Sequence, residues 1–169
     1  DWMLDKEVTA RVAPMAAWLA GAGLRVLQLL PLNEMADDEQ SPYSAMSAMA
    51  IDPIFISVPR VPEFAAVGGE ASLDDRDRRQ LTEVRNATRV DHVVVRDLKQ
   101  RALLRSFERF RDEWSRDTPR AQGLQAFIDG ESWWLADYAL YRALHDREQH
   151  RPWTAWPSAL RDREPAALD

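Results

Sequence analysis

Leu24-Arg25-Val26-Leu27-Gln28-Leu29-Leu30 is a short apolar run that stops at Pro31. It is too brief for a helix, and it follows Gly21 and Gly23, which suits a buried parallel strand. Upstream, Val8, Val12, Met15, Trp18 and Leu19 recur near helical spacing and predict a helix over about Lys6 to Leu19, with the glycines as its stop. Pro14 conflicts with that helix and predicts a kink or a start just before it. Helix, glycine turn and buried strand make one α/β unit. A single such unit in 169 residues cannot close an eight-stranded barrel of about 250 residues by itself.

Downstream of the run lies a loop, Asn33 to Gln40, carrying Glu34, Asp37, Asp38 and Glu39 and followed by Ser41-Pro42-Tyr43. In α/β folds the loop leaving the carboxyl end of a strand handles ligands. A like-charge run of this kind is otherwise a solvated loop. The small residues Ser44 to Ala50 lead to Asp52-Pro53-Ile54-Phe55-Ile56-Ser57-Val58, expected as a second extended segment closed by Pro59 and Pro62. From Glu63 the pattern turns helical. Leu73-Asp74-Asp75-Arg76 begins a charged helix, and the β-branched stretch Val90 to Val95 reads as extended or loop. Asp97 to Asp117 reads as one long helix with Leu98, Leu103, Leu104, Phe107, Phe110, Arg111 and Trp114 on its apolar side. Further helices are expected over about Pro119 to Ile128 and Ser132 to His145, and Pro152-Trp153 and Trp156-Pro157 should end the regular structure. No repeat or low-complexity tract is present.

Composition narrows the chemistry. The chain has no cysteine, which excludes disulfide scaffolds, thiolate metal sites and cysteine nucleophiles. A net charge of −6 argues against a nucleic-acid backbone as partner. No apolar stretch approaches the ~20 residues of a membrane span, and no basic-then-apolar leader opens the chain. The start at Asp1-Trp2 suggests a piece of something longer. Only Lys6 and Lys99 among the 22 basic residues are lysine; the arginines alternate with acids, as on paired helix surfaces. The tryptophans Trp2, Trp18, Trp114, Trp133, Trp134, Trp153 and Trp156 could stack on sugar rings, but composition alone favours packing between helices.

Familiar catalytic motifs are missing. The histidines are His92, His145 and His150; the last two stand five apart, not at the i, i+4 spacing of a zinc-binding helix, no His-Glu-x-x-His run exists, and they read as exposed helix-end residues. There is no nucleophile elbow, no phosphate loop and no dinucleotide fingerprint, since Gly21-Ala22-Gly23 precedes the strand instead of following it. Paired carboxylates are the machinery of glycoside chemistry, but composition singles out no pair.

Motif order is more telling. Leu29-Leu30-Pro31-Leu32, an eight-residue loop, Ser41-Pro42-Tyr43-Ser44, Ser47-Ala48 and Asp52-Pro53-Ile54-Phe55-Ile56 follow one another. Val90-Asp91-His92 with Lys99 downstream, Trp134-Leu135-Ala136-Asp137-Tyr138-Ala139-Leu140-Tyr141 and Pro152-Trp153-Thr154-Ala155-Trp156-Pro157 come after them. In this order they resemble the amino-terminal part of the 4-α-glucanotransferases, the amylomaltases or disproportionating enzymes of glycoside hydrolase family 77. The resemblance covers nearly the whole chain. The acidic loop 33–40 departs from it in having no aromatic residue.

The resemblance implies an α/β fold: part of a (β/α)8 barrel, contributing the first strand and its loop, with a mainly helical inserted subdomain. The barrel portion would occupy residues 1–62 and the helical insertion residues 63–169. It implies a cytoplasmic enzyme that moves α-1,4-glucan segments between malto-oligosaccharides with retention, using a carboxylate nucleophile and a second carboxyl group as acid then base. In the family those carboxylates lie further downstream, so no catalytic residue is expected in this chain and the piece alone should be inactive. Arg89-Val90-Asp91-His92 looks like the motif that holds the nucleophile, but Val93-Val94-Val95-Arg96-Asp97 follows it, and Asp91 reads as a helix-entry or turn residue. Tyr43 is the expected substrate-binding residue, a phenol facing the glucan near the acceptor side, with Ser41 and Ser47 as supporting hydroxyls; the competing reading of Tyr43 is a buried loop anchor. Trp133, Trp134, Trp153 and Trp156 are implied to pack the insertion. No metal and no organic cofactor is expected, nor a nucleic-acid or membrane partner. Two other readings stand beside this one. The first is a non-catalytic glucan-binding or structural relative; the second is an unrelated helical module with an exposed tryptophan face on the helix from Ser132 to His145.

Overall fold

Capping aspartates start two of the helices, and a turn-forming glycine follows the end of another. The computed structural model describes residues 8–36, 41 and 43–168, so the expectations placed on Trp2, Lys6, Asp37, Asp38, Glu39 and Pro42 lie outside the described residues. Helix α1 (Val8–Gly21) runs through Pro14, forgoing the one ladder bond that an N–H there would make. It ends where Gly23 takes a left-handed φ of 84°, letting Leu24 N–H reach Leu19 O at 3.0 Å and Gly23 N–H reach Ala20 O at 3.0 Å. Helix α2 (Pro62–Ala66) is short; α3 (Asp75–Asn86) starts where the Asp74 carboxylate accepts the Asp77 N–H at 2.8 Å.

Helix α4 (His92–Trp114) begins five residues earlier than its sequence pattern suggests. The Asp91 carboxylate accepts the Val94 N–H at 3.1 Å, so Asp91 is indeed the helix-entry residue. Val93, Val94 and Val95, expected to be extended, are helical because Val95 is buried in the core, and that packing outweighs the modest helix reluctance of a β-branched residue. The buried stripe of α4 is Val95, Leu98, Lys99, Ala102, Ser106 and Phe110, whereas Leu104, Phe107 and Trp114 are exposed, contrary to the expected apolar side.

Among the described residues no β-strand forms, which corrects the expected first barrel strand. Residues 24–32 form neither helix nor strand, and Leu24, Val26, Leu29 and Leu30 are exposed, Val26 at 84%. An apolar run becomes a strand only beside another, and the described residues supply no neighbour of that kind. The expected second extended segment is instead two 3₁₀ turns, Pro53–Phe55 and Val58–Arg60, because Pro53 and Pro59 lock their φ angles and Asp52 caps the first.

Two compact units result, Asp1–Ala121 and Gln122–Asp169. The core of the first joins Ile54, Val58, Phe64, Leu73, Leu81, Val95 and Ala102. Arginines pair across its helices much as the alternating charges suggest. Buried Asp77 of α3 accepts from Arg101 Nε at 2.9 Å and Arg105 Nη2 at 3.3 Å on α4, and Glu63 of α2 pairs with Arg120 at the start of α5 (Pro119–Gly130).

The second unit holds α6 (Ser132–Arg147), then α7 (Ser158–Arg161) and α8 (Pro165–Leu168), so regular structure continues past Trp156-Pro157. Leu144, Trp156 and Leu160 are its core, and Trp156 Nε1 donates to Arg151 O at 2.9 Å. The tryptophans divide: Trp156 is buried and Trp134 half-buried, but Trp133 and Trp153 are exposed and do not pack the unit as expected.

Candidate functional site

The loop that carries Tyr43 is a narrow antiparallel fold-back. Single bridges pair Asn33 with Ile51 and Met35 with Ala45. Asp52 N–H donates to Leu32 O at 2.9 Å, Glu34 N–H to Ala50 O at 3.0 Å and Met46 N–H to Glu34 O at 2.8 Å. At the tip, Ser44 N–H reaches Ser41 O at 3.0 Å and Tyr43 N–H reaches Ser41 Oγ at 3.4 Å. Ser47 Oγ accepts from Met49 N–H at 3.0 Å and Ala50 N–H at 3.1 Å. Both serine oxygens therefore shape the loop, as short hydroxyl side chains commonly do in turns. Tyr43 is 75% exposed, which rules out the buried-anchor reading of its ring.

Below the tip sits a charged knot that the sequence did not single out. Asp52, only 1% exposed, accepts from Ile54 N–H at 2.9 Å and Met35 N–H at 3.4 Å, and takes both terminal nitrogens of Arg96, each at 2.9 Å. This is the bidentate fork that a carboxylate and a guanidinium form best. It clamps both legs of the loop to α4. One turn along α4, Lys99 is buried and donates to Ile54 O at 2.5 Å and Ile56 O at 2.7 Å. Burial pushes its ammonium down to about 8, against the attraction of the Asp52 carboxylate. Glu34, expected in a solvated acidic run, is buried at the base of the loop. The one sequence cue to the knot was Asp52-Pro53, the signature of a capped turn.

The arrangement presents an aromatic ring with a phenolic donor to solvent on an anchored support, which is the equipment of a sugar contact. A profile for 4-alpha-glucanotransferases matches residues 7–169. The chain belongs to the 4-alpha-glucanotransferase family, glycoside hydrolase family 77. It is 35% identical to the 4-alpha-glucanotransferase of Thermus thermophilus and 33% identical to that of Synechocystis, in each case over 89% of this chain. With the Chlamydia pneumoniae 4-alpha-glucanotransferase the identity is 27%, again over 89% of the chain. This family member spans only about a quarter of those relatives, 27%, 28% and 27% of their lengths respectively. No helix of the described residues is long and apolar enough to cross a membrane.

Cation ligands are brought together elsewhere. His145, Asp146 and His150, in the second unit, have ligand atoms within 4.8 Å of one another. His145 is buried, not exposed as its place near a helix end suggests.

Proposed function

We propose that this chain is the amino-terminal part of a retaining 4-α-glucanotransferase and supplies an acceptor-side substrate loop with Tyr43 at its tip. The observation that carries the reading is the exposed Tyr43 ring on an anchored loop, in a chain that belongs to this family. The substrates are malto-oligosaccharides or α-1,4-glucan, handled in the cytoplasm. The Tyr43 ring lies against a glucose face and its hydroxyl donates to a sugar oxygen, while Ser41 and Ser47 hold the loop in shape.

Chemistry itself belongs to carboxylates outside this chain. One attacks the anomeric carbon as the second protonates the departing oxygen; an acceptor hydroxyl then gives its proton to the second group and takes over the glucan segment. Two inversions leave the α configuration unchanged. Residues 1–62 begin the (β/α)8 barrel and residues 63–169 form the helical insertion. The apolar segment 24–30, outside any helix, supports this: it has the composition of a barrel strand and exposes Leu24, Val26, Leu29 and Leu30, side chains that neighbouring strands and helices would cover.

The test is a disproportionation assay on the complete reading frame containing this chain. Maltotriose should yield glucose and a ladder of longer maltodextrins. Glucose and maltose without longer products would mean that water is preferred over a sugar acceptor. A folded, complete protein without turnover would overturn the enzymatic reading in favour of a non-catalytic glucan-binding relative.

A further inference from the structure

Helix α6 ends in a geometry that puts residues five apart in contact. Gln149 and His150 take left-handed φ angles of 57° and 60°. His150 N–H then reaches back to His145 O at 2.9 Å and Gln149 N–H to Asp146 O at 3.1 Å, the paired bonds of a Schellman ending. This ending ordinarily sets two apolar side chains against each other, one from the last helical turn and one from just beyond it. Here both are histidines. Their rings meet edge to face with centroids 5.1 Å apart, and the two Nδ1 atoms face each other at 3.3 Å. An Asp146 carboxylate oxygen lies 3.8 Å from His150 Nδ1.

We propose that His145, Asp146 and His150 form a zinc-binding clip at the C-terminal end of α6. Two nitrogens each about 2.0–2.1 Å from a tetrahedral zinc ion stand about 3.3–3.4 Å apart, the spacing of the two Nδ1 atoms. Two imidazoles and a carboxylate suit zinc among the common divalent ions, with water in the fourth position. The first ligand is held in place: His145 is buried and stacks on Tyr141 at 5.5 Å, which itself stacks on the buried Trp156 at 5.6 Å. Arg142 Nη2, 3.5 Å from Asp146 Oδ1, holds the carboxylate from the helix side, the orienting role that outer partners play at metal centres. A cation there also meets the negative end of the helix dipole. The clip is structural, closing the chain 148–150 onto α6, and takes no part in glucan transfer.

The experiment uses tag-free protein, stripped with EDTA and dialysed, titrated with zinc chloride by calorimetry while melting is followed by circular dichroism. One zinc per chain should bind and raise the melting temperature, and EDTA should reverse both. His150→Ala, at a half-exposed side chain, and His145→Phe, which keeps the aromatic stack, should each weaken binding at least about tenfold, since loss of a mere outer-shell partner already costs about 10–100-fold. Cobalt in place of zinc should give the visible absorption of a four-coordinate site. Failure to bind zinc below about 0.1 mM, or equal affinity in the wild type and either folded variant, would overturn the proposal. Because the readouts are metal binding and melting, the result is independent of whether the protein transfers glucan.

Discussion

Asp52→Ala tests whether the charged knot holds the Tyr43 loop. The carboxylate makes two bonds to Arg96, one to the Ile54 N–H and one to the Met35 N–H, and is essentially inaccessible to water. Alanine removes all four and leaves the Arg96 guanidinium, whose side chain is only 20% exposed, without its principal counter-charge. Breaking a buried pair from one side costs about 3–5 kcal/mol, and loss of the turn cap alone would cost about 0.5–2. These losses share one side chain and do not add, so about 3–5 kcal/mol is the expected destabilisation. In a chain of this size that lowers the melting temperature by about 6–20 °C.

The assay is urea unfolding of wild type, Asp52→Ala, Arg96→Ala and the double variant. Either single change should cost nearly as much as both together, giving a coupling energy of about 2 kcal/mol or more. Hydrogen exchange adds a local readout. The amides of Met35 and Ile54 should lose protection in Asp52→Ala ahead of the helical amides of α4, because their acceptor is gone. A cost below about 1 kcal/mol with no coupling would be the behaviour of an exposed surface pair and would refute the clamp.

Other perturbations probe separate parts of the molecule. Tyr43→Ala in the complete protein should lower kcat/KM for maltotriose disproportionation by about 5- to 150-fold, equivalent to about 1–3 kcal/mol, while melting stays put because the ring is exposed. Lys99 titrates near 8 in the fold against 10.5 ordinarily, so the unfolded chain holds the extra proton between those values and wild-type stability should rise with pH across that window. The rise amounts to about 3 kcal/mol and should be missing from Lys99→Met in denaturant titrations from pH 7 to 11. The Arg120 hydrogen bond holds the Glu63 carboxyl below its ordinary 4.5, so that stabilisation is complete above 4.5 and fades as pH falls through the lowered value. Glu63→Gln should therefore be less stable than wild type at pH 7, with the gap narrowing in acid. Trp156→Ala should cost about 3–5 kcal/mol by emptying the second core and orphaning the Arg151 carbonyl, read by chemical denaturation.

What could be read from the chain was local. Asp74 and Asp91 act through a backbone N–H three residues away, so their capping roles are written in adjacent letters. Family motifs likewise lie in order along the chain and led to the right family. The strand was a different matter. Apolar patterning of residues 24–30 describes what the segment can bury, but pairing needs a partner, and none of the described residues supplies one. Asp52 shows the same limit inside the site: Asp52-Pro53 can open a capped turn, but its apolar sequel reads as extended, and the Arg96 that completes the knot lies 44 residues on, brought there only by the packing of α4.

His145 and His150 expose a subtler gap. Metal-binding pairs are sought at helical spacing because the rule assumes that the helix continues. Spacing of five puts two residues on different faces of a continuing helix, and on that premise the pair cannot share a metal. Once the chain turns left-handed at Gln149 and His150, the position five residues on folds over the last turn and becomes the nearest neighbour of the first. The relevant rule was therefore that of a helix ending, and its cue was weak: Gln149 stands where glycine or asparagine is usual. Replacing Gln149 with glycine tests this reading without touching a ligand. Glycine takes the positive φ of 57° without strain, so Gln149→Gly should keep the His145–His150 contact and leave stability unchanged or higher by up to about 1 kcal/mol. Gln149→Val should lose stability there, because a β-branched residue resists that conformation. Equal stability of the two variants in urea would mean that the left-handed turn does not form in solution, and the contact between the two rings would go with it.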